Sequence, residues 1–70
     1  MLYVSVLGDR SGYFFNALED DIAHPPGTEL VRVFTGKDAF AKAQELVDEL
    51  KALTPDEARE RVRRIQRGEE

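Results

Sequence analysis

Residues 28–50 read TELVRVFTGKDAFAKAQELVDEL, and the hydrophobic pattern changes period in the middle of that stretch. Up to Thr35 the side chains alternate, Val31 and Val33 against Leu30, Arg32 and Phe34, which is the two-residue repeat of a strand. From Lys37 onward Ala39, Phe40, Ala43, Leu46, Val47, Leu50 and Leu53 recur at helical spacing, with Lys42, Glu45, Asp48, Glu49 and Lys51 facing away. A strand therefore runs into an amphipathic helix over residues 37–53, with Thr35 or Asp38 able to cap its free backbone amides.

Upstream, MLYVSVLG alternates Leu2, Val4 and Val6 against Met1, Tyr3, Ser5 and Leu7, and its β-branched and aromatic content favours another strand. Gly8 to Gly12 is rich in turn formers, and YFFNALE beyond it alternates again, so the two segments read as a hairpin with a loop of about five residues. A short helix over residues 15–22 is the competing reading of that second segment. Pro25 and Pro26 donate no backbone hydrogen bond, which makes EDDIAHPPG a loop and not a central strand. Downstream, Thr54-Pro55-Asp56-Glu57 restarts a helix, with Thr54 as cap, Pro55 in the first turn and Glu57 completing a capping box. That helix is expected to end near Arg67.

The predicted fold is α+β: a three-stranded antiparallel sheet packed on one long helix, in the order β-β-β-α, followed by a short arginine-rich helix. Residues 1–53 form the β-β-β-α core, and residues 54–70 form the C-terminal amphipathic helix and a short tail of the same domain. The chain has 70 residues, and one that small buries only about 60% of the surface its unfolded form exposes. It has no cysteine, so neither a disulfide nor a thiolate zinc site can reinforce the core. The longest N-terminal apolar run, residues 1–7, is too short to span a bilayer and lacks the basic start of a signal peptide, so a cytoplasmic protein without membrane association is expected.

A net charge of −4 opposes general attraction to nucleic acid or anionic lipid. The basic charge is nevertheless concentrated: five arginines fall between Arg59 and Arg67 against the single Glu60. On a helical wheel Ala58, Val62 and Ile65 form the inner stripe, and Arg59, Arg63, Arg64 and Arg67 lie outside. One explanation is local, through Glu57–Arg61 and Glu60–Arg64 pairs and the helix macrodipole. The other is that Arg59, Arg63 and Arg67, spaced by four, grip phosphates or an acidic protein surface. On the sheet face turned from the long helix, Tyr3, Phe14, Asn16, Arg32 and Phe34 form a mixed aromatic and polar set suited to a protein partner, unless the last helix or a second copy covers it.

Catalysis is not expected. His24 is the single histidine, and its neighbours Glu19, Asp20 and Asp21 lack the i,i+4 spacing of helical metal ligands. No Ser/His/Asp set and no Walker-type phosphate loop is present. No metal and no cofactor is expected.

YVSVLGDRSGYFFNALEDD followed by RVFTGKDAFAKAQELVDEL resembles HicB-type antitoxins, which have a partial RNase H-like fold. The shared pattern is a first strand, a turn ending in Gly-Tyr, a second strand with an acidic end, and a third leading through Thr-Gly into a helix with early alanines. The resemblance covers residues 1–53 and implies a protein that binds and inhibits a partner as an oligomer. The AHPPGTEL loop departs from that pattern, and one arginine helix stands where the family frequently has a DNA-binding domain.

The expected function is that of a small protein-binding inhibitor or regulator. Its acidic body, Glu19, Asp20, Asp21, Glu45, Asp48 and Glu49, would speed docking on a basic target. A nucleic-acid-binding accessory protein using the arginine helix, and a structural homodimer element, are the alternatives.

Overall fold

The computed structural model describes residues 3–19 and 24–70. Strands β1 (Tyr3–Gly8), β2 (Phe15–Glu19) and β3 (Glu29–Thr35) precede helices α1 (Ala39–Ala52) and α2 (Pro55–Gln66). The strands form one antiparallel sheet in the order β2-β1-β3, so the predicted α+β class and element order hold. The segment from Phe15 to Glu19 is a strand, which removes the short-helix reading there. Leu2, Asp20, Asp21 and Ile22, each part of an expectation above, lie outside the described residues.

Because β1 is central and antiparallel to both neighbours, β2 and β3 run parallel to each other. Their connection, residues 20–28, is described from His24 onward. Within its described part, Pro25 to Thr28 make a turn closed by hydrogen bonds from the Thr28 amide (3.4 Å) and hydroxyl (2.7 Å) to the Pro25 carbonyl. Pro25 and Thr28 sit beside Leu7, Phe14, Asn16 and Leu18 and partly cover them.

Residues directly opposite in an antiparallel ladder share a face. Val4 lies opposite Glu19 and Phe34, Val6 opposite Ala17 and Arg32, and Gly8 opposite Phe15 and Glu29. The β1–β3 register slips between Val6 and Leu7, leaving Val31 as the extra residue of a bulge. Beyond the bulge the alternation is inverted: Val31 is 4% exposed in the core, whereas Val33, opposite Ser5, is 42% exposed on the other face. The expectation that Val33 faces the long helix while Arg32 and Phe34 face away is corrected accordingly. Phe34 packs against the core, and the Arg32 guanidinium lies 5.2 Å from its ring centre.

Both helices lie on the same side of the sheet. Ala39, Ala43, Leu46, Val47 and Leu50 of α1 join Ala58, Val62 and Ile65 of α2 over Val4, Val6, Phe15 and Val31 in one cluster. Burying each Val, Leu or Ile there contributes roughly 1.5–3 kcal/mol. α2 thus docks beside α1 and does not fold back over the opposite face.

Helix boundaries follow local chemistry. Asp38 occupies the N-cap position of α1 without a side-chain capping bond. Thr54 and Glu57 form the predicted capping box of α2, with Pro55 in its first turn. At the other end, Gly68 at positive φ donates to the Ile65 carbonyl and Glu69 to that of Arg64, the paired bonds of a Schellman cap. No helix among the described residues is long and apolar enough to cross a membrane.

Candidate functional site

Two surfaces stand out, and the first is the sheet face without helices. Register places Tyr3, Ser5 and Leu7 of β1, Asn16 and Leu18 of β2, and Leu30, Val33 and Thr35 of β3 on it. Phe14, just before β2, borders the same hollow as Leu7 and Asn16. No charged residue of the strands is on this face, because Glu19, Glu29 and Arg32 all fall on the helix side. An antiparallel sheet with one solvated face ordinarily turns polar residues outward. Here Tyr3, Leu30 and Val33 are instead exposed apolar side chains, and Phe14 is exposed beside them. Of the residues expected to serve a partner here, Phe14 and Asn16 are brought together, Tyr3 lies on the same face at the opposite end of β1, and Arg32 and Phe34 lie across the sheet. Leu30 and Val33 join the set; only the bulge, which no alternation reveals, moves Val33 into it.

The second surface lies where α2 meets the β1–β2 hairpin. In the hairpin loop, Asp9 accepts from the Ser11 amide (3.1 Å) and hydroxyl (2.5 Å), and the Tyr13 amide donates to the Ser11 hydroxyl (3.1 Å). These bonds, led by that from the Ser11 hydroxyl, hold the Asp9 carboxyl below its ordinary pKa. The loop is pressed onto the start of α2: a β-carbon at Gly12, whose φ is +81°, would stand 2.6 Å from the Pro55 carbonyl oxygen. Arg59 fastens the same junction by donating from Nη1 to the Ser11 carbonyl at 2.7 Å and pairing with Asp56.

Beside this junction is a cleft of about 300 Å³, floored by Phe15 and Val62 and rimmed by Asp9, Arg10, Glu29, Arg59, Arg63 and Gln66. Arg59 and Arg63 also border a second hollow with Arg67 along the outside of α2, so the three arginines spaced by four do share one surface. Arg10 was not anticipated there, since only the folded loop brings it to α2.

The remaining arginines are occupied differently from expectation. Arg61 pairs with Glu49 of α1 at 3.6 Å and with Glu70 at 3.1 Å, Arg64 pairs with Glu70 at 3.7 Å, and Arg67 pairs with Glu69. The predicted Glu57–Arg61 and Glu60–Arg64 pairs do not form. Glu57 is taken by the Thr54 hydroxyl and amide, and these bonds, the hydroxyl first, lower its pKa. His24 is exposed, and the Asp20 and Asp21 that a metal reading would add lie outside the described residues.

Comparison with protein-family models, with curated proteins and with solved structures finds no significant match to this chain.

Proposed function

We propose that the protein is a small non-catalytic module that binds another protein through the helix-free sheet face and acts as an inhibitor or regulator of that partner. The observation that carries this reading is the distribution of charge on the strands. In a chain with 34% charged residues, every charged strand side chain lies on the helix side, leaving an uncharged face with Tyr3, Leu30 and Val33 exposed. Cores of protein interfaces have this composition, depleted in charge and enriched in aromatic and apolar groups. The acidic outer face of α1, with Glu45, Asp48 and Glu49, would hasten association with a basic partner.

The occupancy of the arginines supports this reading over the nucleic-acid one. Four of the five between Arg59 and Arg67 already meet carboxylates of the chain itself. Phosphate would have to compete with those partners, although exposed pairs are individually weak.

The test is affinity capture from a lysate of the source organism, with and without nuclease, using the wild-type chain and a Leu30→Lys/Val33→Lys variant. A discrete protein held by the wild type in both halves and lost by the variant, with unchanged circular dichroism, is the expected result. Capture abolished by nuclease, or unaffected by the two lysines, would overturn the proposal. A mass that doubles with concentration in the wild type alone would place a second copy on the face and favour the homodimer alternative.

A further inference from the structure

Seven arginines occur in the chain, and five are committed: Arg59, Arg61, Arg64 and Arg67 to carboxylates, and Arg32 to the Phe34 ring. The two that meet neither a carboxylate nor a ring among the described residues are Arg10 and Arg63. Both line the cleft between the hairpin loop and α2. They arrive there from segments far apart in sequence, and among the described residues neither forms an ion pair. The geometry points to a binding site for a small carboxylate that carries an apolar group. Arg10 and Arg63 donate to the carboxylate oxygens, and the apolar group rests on Phe15 and Val62.

The neighbouring groups narrow what the cleft accepts. Arg59 is held by the Ser11 carbonyl and Asp56, so it adds positive field and few free donors. Asp9 accepts the Ser11 amide and hydroxyl with one carboxylate oxygen, Oδ1, and lines the cleft as an anion. Gln66 donates one of its two amide N–H groups to the Leu30 carbonyl at 2.9 Å. Asp9 and Glu29 are the two rim carboxylates without an ion-pair partner among the described residues, and both oppose a second negative charge on the ligand. A monoanion with an apolar body satisfies the arginines and the floor together, whereas a phosphate dianion meets Asp9 and Glu29. The volume, about 300 Å³, is at the small end of ligand sites and suits a single ring or short aliphatic chain.

This site is separate from the sheet face and stands independently of the function proposed above. The test is titration of the whole chain with phenylacetate, followed by NMR of the arginine Nε–H and backbone amide signals, with acetate and inorganic phosphate as comparison ligands. Saturable shifts at Arg10 and Arg63 with a dissociation constant of about 1 mM are expected. Affinity should fall about tenfold or more in Arg10→Gln and in Arg63→Gln, and stay unchanged in Arg64→Gln, outside the cleft. Arg10 and Arg63 are exposed, so these variants are expected to fold, and their amide spectra report it. The absence of saturation, an equal response to phosphate, or binding that survives both glutamine substitutions would overturn the assignment.

Discussion

The two faces of the sheet draw on similar side chains and meet different fates, although Leu7 and Ser5 at the centre of the helix-free face are buried too. Val4, Val6, Val31 and Phe15 vanish under two helices, while Leu30, Val33 and Tyr3, equally apolar, remain in contact with solvent. Hydrophobicity alone does not decide which face of a small sheet is covered. Helix spacing, caps and one bulge do, by directing α1 and α2 to the same side. What is left exposed on the other side is then a surface available for intermolecular contact.

The sharpest way to break this comparison is to place the same charge at two valines of equal parity. Val31→Lys buries an ammonium in the core and is expected to abolish cooperative melting, since a chain of this size has a margin of only roughly 4–10 kcal/mol. Val33→Lys should change stability by less than about 1 kcal/mol. Equal effects in thermal and denaturant melts would mean that the bulge is misplaced.

Next in size is Gly12→Ala, which combines a strained φ with a clash against Pro55 and loosens α2 from the hairpin; a loss of about 2 kcal/mol is expected. Gly27→Ala, with the same sign of φ but open space around it, should cost visibly less in the same denaturant assay. Thr54→Ala removes the cap of α2 and should cost about 1 kcal/mol.

The smallest effect is on pH. Asp9 and Glu57 both have folded pKa values below their ordinary ones, so the stability they add is present above the usual carboxylate range and is lost as pH falls through the folded values. Melting temperature should decline on acidification, and less steeply in an Asp9→Asn/Glu57→Gln variant than in the wild type.

Much of this fold was legible because its signals are local. The Thr54–Glu57 box and the apolar stripes of both helices need nothing beyond a few neighbouring residues, except that Phe40, expected in the stripe of α1, is 48% exposed and off the core. Strand order was not legible, since nothing in β3 states that its partner is β1. The bulge at Val31 was hidden for the same reason: alternation from Leu30 to Phe34 is unbroken, and only pairing with Val6 and Leu7 inverts it. At Glu57 two valid local rules competed for one carboxylate, and the cap prevailed over the pair with Arg61. Arg10 became visible only once the loop had folded against α2.

The central position of β1 bears on how the chain reaches this structure. Its ladder with β2 closes through a short hairpin, but its ladder with β3 joins Tyr3 to Thr35 only after the whole crossover has been placed. Until then one edge of YVSVLG, a segment without a single charge, stays unpaired. Such a segment is a template for strand pairing between molecules. Aggregation during refolding should therefore grow with protein concentration and be governed by how quickly β3 arrives.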